Sequence, residues 1–173
     1  MRFRGGFGHA CKLVGMLFVV GLALAACSKS QQPKEYGLGG ERPAAPGSTR
    51  DFSSNVGDVV HFQVDSARLT GEAQNTLRSQ VRWLNQYAQY TVTIEGHADE
   101  RGTREYNLAL GAQRAMAVKG FLLSNGLSAR RVKTISYGKE RPIAVCDDIS
   151  CWSQNRRAQT ILNTRTGAVA SGR

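Results

Sequence analysis

The sequence predicts a small α/β (α+β) sandwich in which two main helices pack on one side of a mixed four-stranded sheet. Three observations lead there. The chain has 173 residues, room for one domain of ordinary size and some extra segments. Its composition, 41% hydrophobic and 21% charged, is near the globular average, so most of the length has the apolar content for a packed core. Hydrophobic periodicity then switches between two and 3.6 residues in the order strand, helix, strand, helix, strand, strand, an order met by layering helices on one face of a sheet.

The first segment, residues 1–26, reads as an export signal. Met1 to Lys12 is basic and lacks acids, and Leu13 to Leu24 is an apolar run too short for a membrane span of about 20 residues. The run stops at Leu24-Ala25-Ala26-Cys27, which resembles the lipobox of bacterial lipoproteins. That resemblance implies that Cys27 becomes the first residue of the mature chain and carries acyl chains, which together anchor it durably. Ser28, where an aspartate would favour inner-membrane retention, implies export to the outer membrane. Residues 27–50 form the lipidated N-terminus and a flexible linker. Their Gly37-Leu38-Gly39-Gly40 and Pro43-Ala44-Ala45-Pro46 offer nothing to bury. Such a coil spans roughly 26 Å on average and roughly 75 Å when pulled straight, enough to reach an adjacent layer.

Residues 51–165 supply the domain. Val59, Val60, Phe62 and Val64 read as the first strand. Ala73, Leu77, Val81, Leu84 and Ala88 follow at helical spacing, with Thr70 as N-cap. Thr91 to Glu95 alternates and is β-branched, as a strand with one covered face would be. Leu108, Gly111, Ala115, Val118 and Leu122 make a second helical stripe that stops at Asn125-Gly126. Val132 to Tyr137 and Arg157 to Leu162 complete the strands, and 166–173 form a disordered tail.

The chemistry concentrates between Ile94 and Ala115. A strand end delivers His97 and Asp99 into a polar, glycine-containing loop, and the next helix carries Asn107 and Arg114, two turns apart on one face, with Leu110 between them. A loop carboxylate facing a helix arginine suits a zwitterion: Asp99 takes an ammonium and Arg114 clamps a carboxylate bidentately.

This stretch resembles the OmpA-like family, whose signature runs G-x-x-D, a short loop, then N-x-x-L-[SG]-x-x-R-A. Gly96, Asp99, Asn107, Leu110, Gly111, Arg114 and Ala115 meet every position. The resemblance covers roughly Val56 to Asn163. It implies an OmpA-like domain that binds peptidoglycan without covalent chemistry, Asp99 and Arg114 holding the meso-diaminopimelate of the stem peptide. Asn107, Leu110, Asp65 and Glu100 are counted as further contacts, with His97 as a hydrogen-bonding residue that orients the site. Gly96 to Thr103, Ser136 to Glu140 and Asn155 to Ala158 resemble the lipid-anchored members in particular. Those members dock the propeller protein TolB and work with other Tol proteins in outer-membrane constriction at division. His61, where an aromatic is common, and Arg104, where proline is common, depart from the pattern.

Other classes fare less well. The net charge of +10 falls to +7 without Arg2, Arg4 and Lys12, and would suit nucleic acid, an anionic membrane or an acidic wall polymer alike. The basic residues lack the interleaved exposed aromatics of a nucleic-acid surface. A hydrolase would need a nucleophile or metal-bound water with a positioned base, and no G-x-S-x-G, HExxH or cysteine paired with histidine is evident. A protein-contact module remains compatible with wall binding. His97, Asp99 and Glu100 hint at a metal, but His61 is the only other histidine of the mature chain, so neither metal nor cofactor is expected. Cys146 and Cys151 enclose a short loop in an exported protein, where thiols oxidise, and read as a structural disulfide.

Overall fold

The fold is seen in a computed structural model that describes residues 43–164. The expected signal segment, Cys27, most of the linker and the C-terminal tail lie outside the described residues. Local chemistry starts each long helix in the same way. The hydroxyl of Thr70 accepts from the Ala73 N–H (3.1 Å), and that of Thr103 accepts from the Tyr106 N–H (3.2 Å), so each threonine satisfies one of the amides a first turn leaves open.

In chain order the elements are α1 (Thr49–Asp51), which runs into a π-turn at Phe52–Val56; β1 (Val59–His61); α2 (Gly71–Gln86); β2 (Tyr90–His97); α3 (Arg104–Ser124); a 3₁₀ turn at Ala129–Arg131; β3 (Val132–Gly138); α4 (Ile149–Asn155); and β4 (Arg157–Thr164). The sheet order is β1-β4-β2-β3. β4 runs antiparallel to both neighbours, while β2 and β3 are parallel and therefore need a crossover, which α3 provides. One apolar cluster joins the layers: Leu77 and Leu84 of α2, Val118 and Leu122 of α3, and Val92 and Ile94 of β2 are all essentially inaccessible. Gln80 is buried among them because its amide bonds both ways, donating to Gly57 O (2.7 Å) and accepting from the Thr160 hydroxyl (2.8 Å).

Three boundaries differ from the sequence expectation. The first strand ends at His61 rather than Val64; Phe62 N still donates to Arg156 O (2.9 Å), but Val64 is 50% exposed and Asp65 turns the chain at φ 50°. The packed domain starts before residue 51: Ser48 caps α1, Tyr90 donates to Gly47 O (2.9 Å), and Trp83 donates to the Asp51 carboxylate (2.8 Å). The short helix α4 was not anticipated, since seven residues are too few to display a stripe. Among the described residues no helix is long and apolar enough to cross a membrane.

The site's position rests on one close crossing, where α3 passes over β2 at Gly111 and Gly96. A Cβ on Gly96 would lie inside the Gly111 carbonyl, which is backbone and fixed by its helix, whereas a Cβ on Gly111 would meet the Ser136 hydroxyl at 2.4 Å and the Gly96 carbonyl oxygen less severely, at 2.9 Å. Gly96→Ala should therefore cost about 3 kcal/mol and Gly111→Ala visibly less in urea unfolding. Equal losses would show that the crossing is not set by Gly96.

Candidate functional site

The parallel pair β2–β3 ends in the site loop. Ala98 N donates to Gly138 O (2.8 Å), which holds the loop's first residue against β3, and the next residue, Asp99, lines a cavity. Asn107, 2% exposed, donates its amide to Arg101 O (2.7 Å) and Thr103 O (3.1 Å), fixing the far end of the loop to α3. Between these two clamps lies a cavity of about 240 Å³. Five of the expected residues line it: Asp65, Asp99, Asn107, Leu110 and Arg114, joined by Val64, Arg101, Gly102 and Tyr106. The Tyr106 hydroxyl donates to the Asp65 carboxylate and closes the rim.

Asp99 is nearly buried and doubly paired. Its carboxylate accepts from Arg101 Nη2 (2.8 Å) and Nε (3.3 Å) and from Arg156 Nη1 (3.2 Å). Burial pushes its pKa up, but the bonds from Arg101 and Arg156 outweigh that and hold it below the ordinary carboxylate value, so it is ionised at neutral pH. Arg114 has no exposed surface. Its Nε donates to Ser66 O (2.9 Å), Nη1 to His97 O (2.7 Å) and Nη2 to Gln63 O (3.2 Å), while the guanidinium lies 5.3 Å from the Phe62 ring centroid. Burial draws its pKa down to about 10, against the favourable charge of Asp99, which leaves it cationic at neutral pH. The sequence expectation of a cationic clamp open to ligand needs correcting in one respect: Arg114 is first a cross-link between three backbone segments.

Two expected contacts are elsewhere. The His97 side chain does not line the cavity; only its carbonyl serves the site, through Arg114. Its ring lies 5.6 Å from Tyr137, and neither ring nitrogen has a hydrogen-bond partner, the Glu95 carboxylate being 3.7 Å away. Burial, with Arg157 and Arg141 nearby, lowers its pKa to about 4, so it is neutral. The expected orienting hydrogen bond from its side chain is absent: the β2–β3 register shifts between Gly96 and His97, and the ring packs beside Tyr137 instead of entering the cavity. Glu100 also turns away from the Asp99 cavity, accepts from Trp152 Nε1, and lines a second cavity of about 330 Å³. Cys146 and Cys151 form a disulfide, with Cα atoms 5.6 Å apart, between the end of that second cavity and α4. Among the described residues no group of three or more His, Cys, Asp or Glu could hold a metal.

Sequence reasoning missed Arg156, Arg101, Tyr106 and Trp152 as parts of the site. Arg156 and Arg157 are both buried: Arg156, which caps the C-terminal end of α4, reaches the Asp99 carboxylate, and Arg157, which opens β4, donates to Arg141 O (3.2 Å).

The sequence profile of the OmpA family matches residues 61–164. A protein of Agrobacterium fabrum called peptidoglycan-associated lipoprotein is 61% identical over 145 residues, covering 82% of this chain and 82% of its own. Its namesake in Mesorhizobium japonicum is 57% identical over 153 residues, covering 87% and 91%. The crystal structure of the peptidoglycan-associated lipoprotein from Burkholderia pseudomallei superposes with a TM-score of 0.63 at 35% identity, covering 66% of this chain and 98% of that one. The C-terminal domain of Helicobacter pylori MotB shares the fold, with a TM-score of 0.59 at 20% identity over 63% of this chain and 86% of that one.

Two outcomes follow from these contacts. Arg114→Ala strips partners from three carbonyls and leaves Asp99 with less compensation, so stability should fall by about 3–5 kcal/mol in urea unfolding; a change within 1 kcal/mol would deny the cross-link. For His97, the unfolded chain binds a proton near pH 6.5 and the folded one only near pH 4, so the stability it contributes is intact above pH 6.5 and lost as pH falls toward 4. His97→Phe should remove on the order of 1–3 kcal/mol of that acid-side loss, read as the difference between the two proteins' unfolding midpoints at pH 7 and pH 4.5. Parallel pH profiles would show that the ring is already solvated.

Proposed function

The chain belongs to the OmpA family, and from that premise we propose that it is a lipoprotein of the outer membrane whose periplasmic domain grips peptidoglycan without cutting it. The observation that carries the reading is the pairing of opposite charges in one cavity: the Asp99 carboxylate and the Arg114 guanidinium both line it, with apolar Leu110 beside them. Meso-diaminopimelate bears an ammonium and a carboxylate on the same end carbon. Its ammonium goes to Asp99. Its carboxylate goes to Arg114, because three carbonyls take three of the five guanidinium N–H groups and leave one on each terminal nitrogen. Asp65, Asn107 and Leu110 frame the ligand. The relatives' shared name, peptidoglycan-associated lipoprotein, supports the same reading.

Retention rather than catalysis is the proposed outcome, since the carboxylates that line the cavity are already engaged, Asp99 by Arg101 and Arg156 and Asp65 by the Tyr106 hydroxyl. The rest of the proposal concerns context. Acyl chains on Cys27 hold the chain in the outer membrane, the linker crosses the gap, and the domain takes the wall. By family resemblance its protein partners are TolB and other Tol proteins, and its role is envelope integrity and constriction during division.

Co-sedimentation with purified sacculi tests the site. Asp99→Asn should weaken binding by about 2–5 kcal/mol, because the ligand's ammonium then meets a neutral amide. Undiminished sedimentation would contradict the proposal. The anchor is tested separately: Cys27→Ser should move the protein from the membrane fraction to the soluble one, and unchanged fractionation would remove lipidation from the account.

A further inference from the structure

Asp99 has two cationic partners, and they differ in freedom. Arg156 is 5% exposed and is pinned by a second bond from its Nε to Phe62 O (3.2 Å). The Arg101 side chain is 42% exposed, against 9% for Asp99, and makes its ion pair from the solvent side at 2.8 Å. Its guanidinium also lies over the indole of Trp152, 4.2 Å from the ring centroid. Trp152 is itself held: its indole N–H donates to the Glu100 carboxylate, and its chain neighbour Cys151 is bonded to Cys146. Arg101 thus has two binding surfaces within reach of one another, a carboxylate inside the cavity and an aromatic face beside it.

We propose that Arg101 is the resident counter-ion of Asp99, holding the place that the ligand's ammonium takes, and that ligand entry displaces it while Trp152 retains it nearby. This deepens the diaminopimelate reading and rests on it. The physical need is plain: a nearly buried carboxylate is costly without full compensation, and a half-exposed arginine supplies it reversibly. Arg101 then sets specificity. Only a cation that matches its hydrogen bonds to Asp99 displaces it, so a neutral amide or hydroxyl at the same position is refused. Arg101 acts as a competitor of the ligand and not as a contact to it.

The test uses the full chain in detergent and two probes: a stem tripeptide ending in meso-diaminopimelate, and the same peptide acetylated on the side-chain amine. Calorimetric titration of Arg101→Ala should show the free-amine peptide bound about two- to fivefold more tightly than by the unsubstituted protein, the span expected for removing one partly exposed ion pair. The acetylated peptide, which makes no claim on Asp99, should show no such gain. A merely structural role for Arg101 would move both peptides together and overturn the inference. So would weaker binding of the free-amine peptide to Arg101→Ala, which would make Arg101 a ligand contact. If the unsubstituted protein binds the two peptides equally, the ammonium is not read at all, and both this inference and the diaminopimelate reading fall. If it prefers the free amine but Arg101→Ala shows no gain, the inference alone fails.

Discussion

The guanidinium of Arg114 is the interaction on which the rest depends. It bonds the carbonyls of Gln63 and Ser66, in the segment after β1, and of His97, at the end of β2, from a position on α3. Three stretches of chain distant in sequence meet at one cation, and the cavity exists because they do. Arg114 itself is fully buried yet cationic, so it needs carboxylates close by, and Asp99 and Asp65 supply the favourable field. Folding and recognition therefore draw on the same group. A substitution at Arg114 tests the two together, whereas Asp99, which cross-links no distant backbone carbonyls and takes most of its bonds from arginine side chains, is the cleaner probe of binding.

The loop after β2 acts as a partition. Asp99 and Arg101 face the charged cavity, while Ala98 and Glu100 face the more apolar cavity beside the disulfide. Alternation along an extended segment explains the division. The two sides communicate through Trp152, which takes Glu100 on one side and Arg101 on the other. Lys139 adds a third brace, donating to Glu100 O (3.1 Å) and Gly102 O (2.6 Å). A loop braced in this way presents Asp99 with little freedom, which lowers the ordering cost of binding.

Much of this was legible in advance. Period-two and period-3.6 patterns located both long helices and the central strands, because those elements bury one face against a common core. The signature glycines were legible as well, although the reason for them, the crossing of Gly96 and Gly111, emerges only in three dimensions. Depth was the main thing hidden. Spacing placed Asn107, Leu110 and Arg114 on one face of a helix but could not reveal that Arg114 is spent largely on carbonyls. The same limit misplaced His97 and Glu100: Glu100 is next to Asp99 and points the other way on an extended backbone, while the β2–β3 register shifts between Gly96 and His97, so simple alternation does not carry His97 to the side of Asp99. Arg156 was overlooked because a buried arginine looks, in sequence, like any other contributor to a basic balance.

The most direct measurement of the central claim leaves the protein unaltered and changes the ligand. Titration with stem peptides that differ only in carrying meso-diaminopimelate or L-lysine keeps the ammonium for Asp99 and deletes the carboxylate for Arg114. The account predicts that the lysine peptide binds at least tenfold more weakly, about 1.4 kcal/mol, because the two free N–H groups of Arg114 are left without an anion. Equal affinity for the two peptides would contradict it.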